Sequence, residues 1–570
     1  MDGRGPEADP RHTITDRLVS AGSTRIPSRI PRQTVAGRQP WKSARTATTE
    51  RPPTNGAQSL IRTLVRTGVD VCFANPGTSE MHFVAALDSV PEMRGVLGLF
   101  EGAVTGAADG YARIAGKPAA TLLHLGPGLG NGLANLHNAR RAHTPVVNVV
   151  GDHATHHKKY DAPLESDIDP VAGSVSGWVR RSDRVAEVGA DAAAAVAASM
   201  KAPGQVATLI LPADASWDEG GQVAEPLPSR TPAAPGPQTV SSIADILRSG
   251  EPAALLIGGP ACREPGLLAT SRIANATGVR ALVETFPARL ERGAGLPAIE
   301  RLRYLAEQAV RQLDGVKHLI VAGTRSPVSF FAYPGKPSDL VPEGAQVHTL
   351  ADPSQDVVAA LEALAEQVAA DTLPTLAEPA LPSLPSGPLT ANNWAEVVGA
   401  LLPAGAIISD EANTSGAALP AATVGAPRHD VLTLTGGAIG QGIPVATGAA
   451  IAAPDRPVVN LEADGSAMYT ISSLWTQARE NLDVTTVILN NSAYAVLRLE
   501  MLRVGADLSG PAAKTLLDLS SPDLNFAKIA EGMGVPASRA TTCEELAEQL
   551  RRAFAEPGPH LIDAVVPPHL

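Results

Sequence analysis

Aromatic side chains make up only 3% of the 570 residues, which points away from a recognition protein built on stacked rings. Cysteine is nearly absent. Cys72, Cys262 and Cys543 lie far apart with no Cys-x-x-Cys or Cys/His ligand spacing, so neither a disulfide framework nor a structural zinc is expected. Three scattered thiols suit small buried hydrophobes in a reducing cytoplasm. No run of 18 uncharged apolar residues occurs, and none of the chain is expected to span a membrane. Basic charge is in deficit: 46 Lys and Arg stand against 58 Asp and Glu, a net charge of −12. Nucleic acid is therefore excluded as the main partner.

What is plentiful is small and apolar. Hydrophobic residues reach 44%, with 52 Gly and 49 Pro. At roughly 150 residues per domain, the length allows three or four domains. Residues 1–55 differ from the rest. Up to Pro52 they carry ten Lys and Arg against five Asp and Glu, with no apolar core segment of a secretory signal. A disordered basic tail is expected there, with an organellar transit peptide as the alternative. Two Pro-rich stretches without periodicity, 219–238 and 371–388, look like linkers. They divide the remainder into blocks 56–218, 239–370 and 389–570. Within each block, short β-branched runs (Ala207–Leu211, Ala254–Ile257, Thr485–Leu489) alternate with Ala-rich helical stretches. That alternation predicts an α/β fold of three domains, each a mainly parallel sheet flanked by helices.

The third block carries the sharpest chemistry. The run Pro457–Ala463 reads as a buried strand ending in Asp464-Gly465-Ser466, and the run Val484–Leu489 as a second strand ending in Asn490-Asn491. In a right-handed βαβ unit the two strand ends point the same way. A carboxylate and a carboxamide 27 residues apart can therefore meet at one sheet edge. Such hard oxygen ligands suit Mg²⁺, while exposed N–H groups at Gly465 and Ser466 suit a diphosphate.

Glu462-Ala463-Asp464-Gly465-Ser466, followed by Asn490-Asn491, resembles the signature of the thiamin diphosphate-dependent enzymes. The resemblance implies that Asp464, Asn491 and the carbonyl of Ala493 hold Mg²⁺, which in turn holds the cofactor diphosphate. One position departs from the pattern: Ala463 replaces the motif's first Gly. In the first block, Glu101-Gly-Ala-Val-Thr-Gly-Ala-Ala-Asp-Gly-Tyr-Ala-Arg resembles the segment bearing that family's catalytic Glu, which hydrogen-bonds the aminopyrimidine ring and favours its imino form. The same resemblance assigns Ile439 as the wedge that bends the cofactor and the Gly437 carbonyl as acceptor for its 4′-amino group. Asn413 and Thr414, in Asp410-Glu411-Ala412-Asn413-Thr414, become diphosphate donors. The Gly-rich Leu123–Gly132 stretch lacks the acidic residue of a nicotinamide site.

Over residues 57–568 the chain resembles acetolactate synthase large subunits and benzoylformate decarboxylases. His124 falls where the decarboxylase has an active-site His, suited to proton transfer near neutral pH, and Thr78 where it has an active-site Ser. The decarboxylase's second His has no counterpart in 284–295, and Thr433 and Glu500 stand where Phe is expected. FAD, carried by acetolactate synthase in its middle domain, finds no signature in Leu256–Cys262 or Ala322–Pro327 and is left unsupported. The loop with His153, His156 and His157 is open to three readings: solvated, metal-binding or substrate-contacting.

These features predict decarboxylation of a small 2-oxo acid, pyruvate first, with transfer to a second carbonyl. A simple decarboxylase is the alternative, and a cofactor-binding paralogue without turnover is a further one. An oxalyl-CoA-type lyase would need a basic nucleotide pocket that the middle block does not display. The resemblance also implies a homodimer or homotetramer, with Glu101 and Asp464 meeting across a subunit interface.

Overall fold

The structure, a computed structural model, describes residues 54–228, 231–508 and 510–567. The tail expected over 1–55 lies, up to residue 53, outside the described residues.

Three sheets form from the β-branched runs. The first contains β1 (Val71–Asn75), β2 (Arg94–Leu97), β3 (Ala119–Leu123), β4 (Val146–Asp152), β5 (Trp178–Arg181) and β6 (Val206–Pro212). Its order is β2-β1-β3-β4-β6-β5, parallel throughout. The central stretch supplies β7 (Ala253–Ile257), β8 (Arg280–Val283), β9 (Leu290–Arg292), β10 (Glu300–Arg301), β11 (His318–Ala322) and β12 (Gln346–Ala351). Five of these make a second parallel sheet, β10-β8-β7-β11-β12. The third sheet uses β13 (Ile407–Glu411), β14 (His429–Thr433), β15 (Val458–Ala463), β16 (Val484–Asn490), β17 (Ala537–Ala540) and β18 (His560–Val565). It runs β17-β18-β16-β15-β13-β14-β9. β9 is the exception in origin and direction, leaving the central stretch to pair antiparallel with β14.

Strands β3, β4, β6 and β16 are buried along their whole length. They read as continuous apolar runs because helices cover both faces. Two helices form the seam between the first and third sheets. Glu101–Ala115 is buried through Arg113, and Gly442–Ala452 through Ile451, the pattern of helices apolar all round. Glycine permits their approach. A Cβ on Gly448 would lie 1.8 Å from the Ala107 carbonyl oxygen, and one on Gly110 would lie 2.1 Å from that of Val445. At the same seam Arg113, 1% exposed, grips Asp109 with both Nε (2.8 Å) and Nη2 (2.5 Å). Its Nη1 also donates to the Thr433 carbonyl at 2.9 Å.

Over 371–388 the backbone lacks helix and forms only isolated bridges. It is nevertheless tied down: Arg272 donates to the Thr372 carbonyl, and to those of Ala369 and Ala370 just before the stretch, and Asn275 donates to the Leu373 carbonyl.

Candidate active site

The candidate site residues collect at the C-terminal strand ends of two sheets. At the end of β15, Ala463 is extended (φ −79°, ψ 144°) and caps a helix that begins at Asp464 and runs to Thr470. The strand expected to end in Asp464-Gly465-Ser466 stops at Ala463, and those three residues already belong to the helix. Ala463 occupies a conformation open to any residue, so its methyl group imposes no backbone strain. Gly465 is constrained, because a Cβ there would meet the Tyr494 ring at 2.4 Å.

β15 and β16 are parallel, with Ala463 opposite Leu489, which brings Asp464 to Asn491–Ala493. The Asp464 carboxyl takes the Gly465 N–H at 2.8 Å and is also reached by the backbone amides of Asn491, Ser492 and Ala493. Burial pushes its pKa up to about 6 against those four amides. Its Oδ2 is buried without a hydrogen-bond partner. A buried carboxylate oxygen left unpaired costs free energy that a cation offsets, and the oxygen-rich donor set suits a hard ion such as Mg²⁺. Of the two asparagines, Asn490 is structural, its Nδ2 donating to Asp563 at 3.0 Å.

Nearby, Asn413, at φ +49°, donates to Ser466 Oγ at 3.0 Å, which brings two of the expected cofactor contacts together. Thr414 follows in the Asn413–Ala418 3₁₀ turn. The segment 436–442 is gripped on both sides of Ile439. Asn138 Nδ2 donates to the Ala438 carbonyl at 2.7 Å, and Glu411 accepts from the N–H groups of Gly440 (2.7 Å) and Gly442 (2.5 Å). Ile439 itself is only half-buried, so it is not an ordinary core residue. Gly437 is in the left-handed region at φ +74°, which suits glycine.

At the first sheet, Glu101 opens its helix after the extended Phe100. Its carboxyl is buried and accepts from Asn131 Nδ2 at 3.0 Å. The Gly-rich stretch belongs to the Leu125–Arg141 helix; a Cβ on Gly128 would lie 3.3 Å from Glu101 Oε1, so small residues let this helix approach the glutamate. His124 caps that helix, and its Nδ1 lies 2.8 Å from Oε2 of the buried Glu80. This leaves Nε2 as the ring atom available for proton transfer. Ser79 Oγ approaches His124 at 3.4 Å, whereas its neighbour Thr78 is exposed. The two groups are linked through Asn135, whose Nδ2 donates to the carbonyls of Gly102 (2.8 Å) and Gly440 (3.2 Å).

Several of these residues were not singled out by the sequence reading: Glu80, Asn131, Asn135, Asn138 and Glu411. The available signal was polarity in places that burial should make apolar, namely Glu411 at the end of a buried strand and Asn138 inside a small-residue helix. An aromatic group was missed as well. Phe330 packs on Tyr304 and Phe286, with ring centroids 5.2 and 6.0 Å away, and its ring lies against Gly437. Tyr333 donates to Glu500 at 2.6 Å beneath the Arg503 guanidinium. Glu500 thus anchors rings from the central stretch, while Thr433 is buried and donates to the Pro287 carbonyl. In the His153 loop Lys158 is held by Asp152 and Glu165, and Gly151 at its start lies against the Glu80 carboxyl. Among the described residues, no group of three or more His, Cys, Asp or Glu could hold a metal. No helix among them is long and apolar enough to cross a membrane.

Three α/β sheets, with Asp464 and Asn491 at the strand ends of one and the buried Glu101 beyond a strand of another, suit an enzyme that works through a bound organic cofactor. Family models agree: residues 54–172 match "Thiamine pyrophosphate enzyme, N-terminal TPP binding domain", and residues 407–564 match the C-terminal TPP binding domain. The chain is 69% identical over 514 residues to the "Putative acetolactate synthase large subunit IlvX" of Mycobacterium tuberculosis, covering 90% of this chain and 99% of that protein. It is 31% identical over 539 residues to the benzoylformate decarboxylase of Pseudomonas aeruginosa, covering 88% and 96%. The chain belongs to the thiamine pyrophosphate-dependent enzymes. Solved structures share the fold: a 4-hydroxybenzoylformate decarboxylase of Rhodococcus jostii superposes with a TM-score of 0.77 at 24% identity, covering 90% of this chain and 99% of the other. The benzoylformate decarboxylase of Polynucleobacter necessarius gives 0.78 at 21%, covering 91% and 99%.

Proposed function

We propose that this enzyme uses thiamin diphosphate and Mg²⁺ to decarboxylate a small 2-oxo acid, pyruvate first, and joins the remaining fragment to a second carbonyl. The observation that carries the proposal is the unpaired, buried Asp464 Oδ2 beside Asn491 and Ala493, a site for the ion that would hold the diphosphate. The cofactor, when bound, supplies an electron sink for the electrons released as CO₂ departs. Asp464, Asn491 and the Ala493 carbonyl would hold the metal; Asn413, Thr414, Gly465 and Ser466 the diphosphate; Gly437 and Ile439 the ring system. Glu101 would accept a hydrogen bond at the aminopyrimidine and so manage its proton. His124, oriented by Glu80, would move a proton at the substrate oxygen.

Transfer to a second carbonyl is favoured by the name of the 69%-identical relative. A simple decarboxylase is the second reading, favoured by the Glu80–His124 pair and by the ring group of Phe286, Tyr304 and Phe330. Flavin is disfavoured, because the Gly259 N–H in the turn after β7 is already taken by the half-buried Glu284 carboxyl at 3.1 Å, where a phosphate would compete. We further propose that a homodimer completes the site, Glu101 of one protomer serving the cofactor held by Asp464 of its partner.

Incubation with ¹³C-pyruvate, thiamin diphosphate and Mg²⁺, followed by NMR, tests the proposal. Acetolactate is the expected product. CO₂ with acetaldehyde alone would select the second reading. No consumption of pyruvate or of larger 2-oxo acids would overturn both.

A further inference from the structure

Glu411 ends β13 and is 2% exposed. Its two oxygens accept from the N–H groups of Gly440 and Gly442, and the Ser466 hydroxyl reaches the same carboxyl. It thus joins two segments of the proposed cofactor site: the 436–442 loop with Gly437 and Ile439, and the first turn of the Asp464–Thr470 helix. The loop has little stiffness of its own, since Gly437 and Gly440 both lie at positive φ (+74° and +88°) and glycine gains nothing from side-chain packing. The Gly440 carbonyl is held separately by Thr470 Oγ1 at 2.9 Å and by Asn135. With Asn138 on Ala438 and Glu411 on Gly440, the half-buried Ile439 is fixed from both neighbours while its own side chain stays open.

We propose that Glu411 is a positioning residue. By accepting two loop N–H groups at once, its carboxylate sets where the Gly437 carbonyl and the Ile439 side chain stand relative to Ser466, so the cofactor meets a preformed cradle. An amide at this position could accept only one of the two N–H groups and would turn a donor against the other. The proposal rests on the thiamin diphosphate site described above.

The test compares wild-type protein with Glu411→Gln, Glu411→Asp and Ile408→Val, the last being a buried change on the same strand. Hydrogen exchange of the 436–443 segment is measured without cofactor. Thiamin diphosphate affinity with Mg²⁺ is measured by calorimetry, and the near-ultraviolet dichroism of the bound aminopyrimidine is recorded. In wild type, the Gly440 and Gly442 amides are expected to exchange slowly. Glu411→Gln should accelerate them about tenfold or more and weaken cofactor binding by about 10- to 100-fold, with an altered dichroism band. Glu411→Asp should recover part of the affinity, and Ile408→Val should change neither quantity. Unchanged affinity and dichroism in folded Glu411→Gln would overturn the proposal, as would wild-type exchange at exposed-loop rates. If Glu411→Gln does not fold, the wild-type exchange and Glu411→Asp decide. Failure of the wild-type protein to bind thiamin diphosphate would remove the site reading, and the proposal with it.

Discussion

In the proposed site two carboxylates divide the work at the scale of single residues, and their surroundings separate them. Glu101 is held by one amide from Asn131, leaving the rest of its hydrogen-bonding capacity for a ligand. Asp464 faces backbone amides and keeps one oxygen unpaired. Glu101→Gln should therefore leave Mg²⁺ and thiamin diphosphate affinity near wild type and lower turnover by about 10²- to 10⁴-fold. Asp464→Ala should instead weaken cofactor binding itself. Calorimetry set beside steady-state rates separates the two; matching losses of affinity in both variants would contradict this division. The neighbouring carboxyls follow from the same crowding. Burial raises the pKa of Glu411 to about 7 and holds that of Glu462 well above its ordinary range, and the two lie opposite each other on paired strands.

At the scale of elements, the helix seam depends on missing side chains. Gly448→Ala would drive a methyl group into the Ala107 carbonyl, and overpacking of this kind costs about 1–3 kcal/mol, readable as a lower denaturation midpoint. At the start of β14, His429 is 3% exposed, its Nδ1 facing the Pro427 carbonyl at 2.8 Å and its Nε2 buried without a partner. Burial lowers its pKa from 6.5 to about 4. The unfolded chain binds that proton first, so the neutral ring's contribution is complete above pH 6.5 and is lost as pH falls towards 4. The loss is of the order of 3 kcal/mol. His429→Gln should flatten the stability profile between those values; an unchanged acid limb would remove His429 as its source.

Strands such as β6, β7 and β16 were legible as apolar β-branched runs, and Asp464 and Asn491 as the ends of two of them. Glu80, Asn131 and Glu411 were not, because the contacts that give them a place at the site (His124, Glu101 and the 440–442 loop) lie on other segments, and no spacing along the chain records them. The ring group around Phe330 escaped for a similar reason: a 3% aromatic content gives no warning that several rings gather at one place.

For the whole molecule, the bidentate Arg113–Asp109 pair matters because it reaches the Thr433 carbonyl on the third sheet and that of Ala288 at 3.3 Å. Arg113→Ala would leave Asp109 charged and buried, a change that costs about 3–5 kcal/mol. A large drop in the thermal midpoint is expected, and a drop no greater than that of an exposed Arg→Ala change would show that the tie is dispensable. The strand β9 has a consequence of a different kind, for synthesis. Its partner β14 is translated roughly 140 residues later, on the order of ten seconds at ribosomal speed. Through that interval the nascent chain holds a strand whose hydrogen-bonding edge has no mate, so the central sheet can assemble early but the Leu290–Arg292 segment must wait.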